Sequence, residues 1–282
     1  MSTLYLVATP IGNLSDLSPR AREVLSTVDF IAAEDTRVTQ KLLNACDLPK
    51  KPMISYYEHN RRARGEAVLE KLLAGETCAL VTDAGTPAVS DPGEDLVALC
   101  AEHDVPVIPI PGCCAAVCAL AASGLPTGRW CFEGFLSVNK KARREHLDAL
   151  QGEKRTMIFY EAPHKLCATL RDLRDAFGGD RRLSLSRELT KLHEQTLRMT
   201  LDEAVAYFDA NAPRGEFVLI LEGAPDEPET EQDEAERLAA AAEAVRRRME
   251  QGQTQKDAVK AVSAETGVKK NALYRYVLDH EE

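Results

Sequence analysis

Through roughly the first 120 residues, short apolar runs alternate with segments in which apolar positions recur every three or four residues. The runs Leu4–Thr9, Phe30–Ala33, Ile54–Tyr56, Cys78–Thr82 and Val105–Ile110 predict strands. The intervening periodic segments predict helices. Ser18 suits an N-cap with Pro19 at the first helical position, Ala67–Leu73 is closed by Gly75, and Leu96–Ala101 follows a polar loop. Strand and helix in alternation is the βαβ rhythm of a parallel sheet. Farther on, Met157–Tyr160 reads as another strand, opening into a helix that runs toward Phe177. Three helical patterns close the chain, Ala235–Gln251, Gln255–Thr266 and Lys269–Leu278, with Gly267 between the last two.

The 282 residues, 44% hydrophobic and 28% charged, suffice for about two domains with sizeable cores. The expected division is an N-terminal parallel α/β domain over 1–118, a second α/β domain over 119–225, an acidic linker over 226–236 and a helical module over 237–282. No apolar stretch approaches the roughly 20 residues of a membrane span, and the N-terminus lacks the plan of a signal peptide. The eight cysteines form no CxxC pair, so a reduced, cytoplasmic chain without a metal site is expected. Net charge is −10, unevenly spread: Asp226–Glu236 holds seven acids and no base, whereas Arg237–Glu282 holds nine bases against seven acids. The acidic stretch has too few apolar groups to offset the entropy of ordering.

In open parallel sheets ligands bind beyond the carboxyl ends of the strands. Four loops qualify: Thr9–Asp16, Ala33–Arg37, Thr82–Gly93 and Ile110–Ala115. All are rich in Gly, Pro or small polar residues, and Thr82–Gly93 is the best candidate because no bulky side chain blocks approach to its backbone. The chain has no G-x-G and no GxxxxGK[ST], so dinucleotide and P-loop sites lose support.

The segments VATPIGNLSDLS, AEDTR, TDAGTPAVSDPG, PIPG, FEGFL, YEAPHK, RELTKLHE and GEFVLILEG, spread over residues 3–223, resemble the tetrapyrrole methylase superfamily, and within it the branch that methylates ribosomal RNA. The resemblance implies two α/β domains with a cleft for S-adenosylmethionine between them, followed here by a helix-turn-helix-like module. It implies methyl transfer to the ribose 2′-hydroxyl of a cytidine in the decoding centre of small-subunit ribosomal RNA, by a homodimer. Carried onto this chain, it assigns cofactor contacts to Pro10, Asp83, Ala84, Gly85, Thr86, Ala88, Val89, Gly112, Cys113, Cys114 and Ala115. The assembled small (30S) subunit is favoured as substrate because it presents a shape that bare RNA lacks.

Methyl transfer needs in-line alignment and a destination for the hydroxyl proton. Glu34, Asp35 and Arg37 after the second strand, and Arg187 and Glu188 in the second domain, are the candidate catalytic groups; Lys191, His193 and Glu194 are close by in sequence. A helix cap explains Glu34 or Asp35 equally well, and an ion pair explains Arg187. His164, at a helix start, suits a surface or capping role better than catalysis. Arg61, Arg62, Lys140, Lys141, Arg143, Arg144, Lys269 and Lys270 are the candidate RNA contacts, although a solvated helix face is the plain alternative. Two other readings stay open: a small-molecule methyltransferase of the same superfamily, and a ligand-sensing regulator that binds nucleic acid through its tail.

Overall fold

Five short strands, β1 (Thr3–Val7), β2 (Phe30–Ala33), β3 (Met53–Ser55), β4 (Thr77–Val81) and β5 (Val107–Ile110), form a sheet of order β3-β2-β4-β1-β5 in which every pairing is parallel. The computed structural model describes residues 2–225 and 231–280. The helices between these strands are α1 (Pro19–Thr27), α2 (Thr36–Ala45), α3 (Arg61–Leu73) and α4 (Glu94–Glu102). Because both faces are covered, successive residues of one strand enter different cores. Cys78 and Leu80 of β4 pack with Leu72 and Leu96, while Ala79 and Val81 pack with Leu25 and Leu43. That double burial is why the strands read as continuous apolar runs. Ser18 caps α1 through a 3.1 Å bond from the Ala21 amide, as its sequence position predicts.

Helix α5 (Ala115–Ser123) follows β5 but packs on the second sheet, where Ala116, Ala119 and Leu120 meet Ile158, Val218 and Ile220. The position expected to divide the two α/β domains, 118/119, thus falls inside a helix, and the chain up to Ala224 forms one compact unit. The second sheet contains β6 (Trp130–Phe135), β7 (Thr156–Glu161), β8 (Arg182–Arg187), β9 (Gln195–Thr200) and β10 (Phe217–Leu221) in the order β6-β7-β10-β8-β9. Only β6 and β7 pair in parallel; the other pairings are antiparallel. Its second face is covered by α6 (Lys140–Ala149), α7 (Pro163–Phe177) and α8 (Leu201–Ala210), which bury Phe159, Leu170, Leu185 and Leu219.

The segment from Pro225 onward is a separate unit. Helix α9 (Glu231–Glu250) starts inside the stretch expected to be an acidic linker; residues 226–230 of that stretch lie outside the described residues. Acids favour the first turn of a helix, where they face the positive end of its dipole, and the alanine-rich run beyond carries the helix into a packed face. With α10 (Gln255–Thr266) and α11 (Lys270–Asp279) it encloses a core of Val245, Val259, Leu273 and Val277. Gly267 closes α10 with φ 72°, and Thr254 caps its start. Tyr276 packs against this core, whereas Tyr274 remains exposed. No helix among the described residues is long and apolar enough to cross a membrane.

Candidate active site

The loops at the carboxyl ends of β1, β4 and β5 are tied into one surface. Thr9 and Gly85 exchange backbone hydrogen bonds of 2.9 and 3.0 Å, Thr9 Oγ1 donates to the Thr82 carbonyl at 3.1 Å, and Thr86 Oγ1 donates to the Cys113 carbonyl at 2.9 Å. Gly112 lets the third loop approach the first, since a Cβ there would lie 2.8 Å from that of Ala8. Two residues other than glycine, Ala88 (φ 64°) and Ser90 (φ 63°), are held in the left-handed region, and Gly93 has φ 144°. Strain of this kind costs on the order of 1–3 kcal/mol per residue and persists where the surroundings enforce it.

The second sheet brings its own edge to these loops. β6, β7 and β8 point their carboxyl ends at them, delivering Phe135, Tyr160, Glu161 and Ser186, while antiparallel β10 arrives with its first residues, Phe217 and Val218. Between the two sheets lies a cavity of about 440 Å³, within the range of small-molecule sites. Ala84, Gly85, Thr86, Val89, Ser90, Asp91, Cys114 and Ala115 line one side, and Phe135, Tyr160, Ala162, Ser186, Leu189, Glu216 and Val218 line the other. Most of this wall is apolar, with backbone polar groups exposed by the loops.

The polar residues of the wall divide by whether they are already occupied. Tyr160 accepts a 3.0 Å bond from the Ala116 amide and packs edge-on against Phe132 and Phe135; burial pushes its phenol up to about 12. Glu161 is buried and accepts bonds from the Ala162 amide at 2.9 Å and from the Thr169 hydroxyl. Glu216 pairs with Lys191 at 3.0 Å. Asp91 has no hydrogen bond or ion pair among the described residues. Its carboxyl is pushed up to about 7, chiefly by burial and then by the negative charges of Glu34 and Asp83.

Of the expected cofactor residues, Ala84, Gly85, Thr86, Val89, Cys114 and Ala115 line the cavity. Pro10 and Asp83 line a neighbouring pocket of about 270 Å³ together with Val38, Lys41 and Leu42. Ala88, Gly112 and Cys113 shape the loops without lining the cavity.

None of the five expected catalytic residues lines the cavity. Glu34 accepts from the Asp83 amide at 3.2 Å. Asp35 caps α2, and its hydrogen bonds from Arg37 hold its carboxyl well below the usual range, while Arg37 itself projects into solvent. Arg187 ends β8 with its Nε buried and unpartnered. Glu188 accepts from Lys191 Nζ at 3.0 Å and from the Glu216 amide at 3.2 Å, which lowers its pKa and fixes the loop carrying Leu189. His164 is exposed at the start of α7.

Among the basic candidates, Arg143 is held inside the fold. It is mostly buried and bonded to Asp172 at 2.5 Å and Thr169 at 2.9 Å, so it joins α6 to α7. Arg61 pairs with Glu58 at 3.2 Å and Lys141 lies 3.8 Å from Glu145, whereas Arg62, Lys140 and Arg144 are exposed. Lys269 and Lys270 border a surface groove with Asn271 and Arg275 in the C-terminal unit.

The sequence reading missed Asp91, Tyr160, Ser186, Phe217 and Val218 as cavity residues. Four of these five lie within quoted segments, TDAGTPAVSDPG, YEAPHK and GEFVLILEG, while Ser186 immediately precedes RELTKLHE. For the four residues of the second sheet the missing signal was strand direction; Asp91 lies in the loop after β4 and reads as a turn residue.

The family model described as Tetrapyrrole (Corrin/Porphyrin) Methylases matches residues 3–205, and the two-sheet fold is that of this class. Solved structures agree: the methyltransferase CobJ has a TM-score of 0.58 at 21% identity, covering 79% of this chain and 95% of that one. A uroporphyrin-III C-methyltransferase from Thermus thermophilus complexed with S-adenosylhomocysteine has a TM-score of 0.52 at 18% identity, covering 77% of this chain and 96% of that one. Nearly full-length relatives narrow the assignment. "Ribosomal RNA small subunit methyltransferase I" of Synechocystis sp. is 50% identical over 100% of this chain and 99% of its own length. Its Escherichia coli O157:H7 counterpart is 43% identical over 99% of this chain and 95% of its own length. The chain belongs to this ribosomal RNA small subunit methyltransferase I family.

Proposed function

We propose that the protein transfers the methyl group of S-adenosylmethionine to the ribose 2′-hydroxyl of a cytidine in small-subunit ribosomal RNA, acting in the cytoplasm as a homodimer on the assembled subunit. The observation that carries this reading is the cavity between the sheets. It has the volume for a small cofactor, an apolar wall for its uncharged parts, and on the other side loops whose backbone groups suit a folded polar ligand. Ala84, Gly85, Thr86, Val89, Cys114 and Ala115 would hold the cofactor there. When bound, it supplies an electrophilic methyl on a sulfonium. The protein's part is to align oxygen, carbon and sulfur and to exclude water; well-oriented partners remove about 7–11 kcal/mol from a bimolecular barrier.

RNA is supported as the substrate by exposed Arg62, Lys140 and Arg144 on the α/β unit and by Lys269, Lys270 and Arg275 on the helical unit. Such groups provide phosphate affinity, with selectivity left to the shape of the target. Large apolar side chains left on the surface, including Val117 and Ile108, support a second copy as partner.

The test is incubation with labelled S-adenosylmethionine and small subunits lacking modifications, followed by nuclease digestion and mass spectrometry. Label on a single cytidine ribose is expected. Cofactor binding without transfer to subunits or RNA would overturn the reading in favour of a small-molecule substrate or a sensing role.

A further inference from the structure

We propose that Asp91 is the catalytic residue that takes the proton from the attacking ribose hydroxyl. This inference rests on the reading of the site as a 2′-O-methyltransferase centre. Three carboxylates line the cavity: Asp91, Glu161 and Glu216. Glu161 is buried, with one carboxylate oxygen accepting from the Ala162 amide and the other from the Thr169 hydroxyl, an arrangement that fixes the start of α7. Glu216 is held by Lys191, and its side chain is 81% exposed, turned to solvent rather than to the interior. Glu34, Asp35 and Glu188 lie outside the cavity and are bonded respectively to the Asp83 amide, to Arg37 and to Lys191. Asp91 alone among these combines a place on the cavity wall with a carboxylate that has no partner among the described residues.

Its backbone is fixed as a catalytic group requires. Ser90, at φ 63°, precedes it, Pro92 follows, and Gly93, at φ 144°, closes the turn against Leu80. Among the described residues, the charged and titratable groups facing it are Glu34 from the β2–α2 loop, Asp83 from its own loop and Tyr160 from β7, and no cation faces it. Burial and the two acids hold its carboxyl near neutrality, which is where a general base works best, since enough of it is ionised and it still binds a proton usefully.

The step balances without any further reactant. The 2′-oxygen forms its bond to the methyl carbon while the sulfur–methyl bond breaks and leaves its electron pair on sulfur. The hydroxyl proton passes to a carboxylate oxygen of Asp91, which later returns it to water. The products are the 2′-O-methyl ribose and S-adenosylhomocysteine.

The experiment compares the full-length protein with Asp91→Asn and Asp91→Glu on unmodified small subunits, and measures S-adenosylmethionine binding to each by calorimetry. Asp91→Asn is expected to lower kcat about 10²- to 10⁴-fold, the usual worth of a general base, with cofactor Kd unchanged within about twofold. The wild-type rate should fall tenfold per pH unit below about pH 7, as the Asp91 carboxyl protonates, and the residual rate of Asp91→Asn should not. Asp91→Glu should recover part of the rate. An Asp91→Asn enzyme as fast as wild type would overturn the proposal. So would a loss accounted for by weaker cofactor binding, which would make Asp91 an anchor for the cationic ligand. Wild-type protein that binds cofactor but methylates nothing would instead sink the functional reading itself, a failure visible before any variant is compared.

Discussion

In the first sheet every strand runs the same way, so the loops after β1, β4 and β5 all emerge at one edge; in the second, β7 and β8 reach the cavity with their last residues and β10 with its first. A parallel sheet therefore announces its binding edge in sequence, since the residues that follow each apolar run are the ones to inspect. A mixed sheet does not. Phe217 and Val218 stand before the body of an apolar run, yet their register opposite Glu161 and Arg187 puts them beside the ends of β7 and β8. The cavity belongs equally to both kinds of edge.

The largest effect is expected from filling the cavity. Ala115→Trp enters from the loop side and Ala162→Trp from the second sheet; both parents are partly exposed residues of the cavity wall. Each should weaken cofactor binding at least about 100-fold, equivalent to about 2.7 kcal/mol, with little change in Tm. Calorimetry checks this. Retained affinity in Ala162→Trp alone would mean that the second sheet only borders the site.

Next come the glycines that set the two edges. In Gly93→Ala the new Cβ lies 2.7 Å from Leu80 Cδ2 in a left-handed backbone, so a loss of about 1–3 kcal/mol in urea unfolding is expected. In Gly215→Ala, φ is 84° and the obstructing atoms belong to the Glu188 side chain, which can swing aside. The loss should be smaller. Equal losses would show that backbone strain, rather than crowding, dominates at both edges.

These contrasts also explain what the sequence disclosed. The five strands of the first sheet and the cap at Ser18 follow from local pattern and fall within about two residues of expectation. So does the tail, apart from the start of α9 at Glu231, where acids that suggest a solvated linker also suit a helix N-terminus. Six of the eleven expected cofactor residues line the cavity because they lie in loops after parallel strands. The expected catalytic residues lie outside the cavity lining for a different reason. Asp35 and Glu188 carry the right chemistry but are occupied by Arg37 and Lys191, only two and three residues away, and that occupancy depends on rotamers rather than on sequence spacing. Asp91 sits between Ser and Pro and resembles a turn residue; what distinguishes it is the lack of a partner among the described residues, a property of the folded chain.

The same lack of a partner predicts a stability cost. Burial and like charge raise the Asp91 pKa from 3.8 to about 7 in the folded protein, so its contribution is fully present below about pH 4 and is lost as pH rises through 7. Asp91→Asn avoids that loss. It should be more stable than wild type at pH 8, by on the order of 1 kcal/mol after allowing for solvent screening, and equally stable at pH 4. Thermal unfolding at the two pH values checks the sign, and a variant less stable at pH 8 would show that the carboxylate has a favourable partner.

The smallest expected effect separates two neighbours on α6. Arg144 is exposed and free to meet phosphate, whereas Arg143 is committed to Asp172 and Thr169. Arg144→Ala should leave unfolding within about 0.5 kcal/mol of wild type, as surface substitutions generally do. It should also reduce the slope of log affinity for small subunits against log salt by about 0.7–0.9 if it contacts one phosphate. Arg143→Ala should do the reverse, lowering stability through the broken α6–α7 link and leaving the salt slope unchanged. A salt slope that responds to Arg143 would mean that its link to α7 opens when RNA binds, and that adjacent basic residues on the second sheet's helix share one role after all.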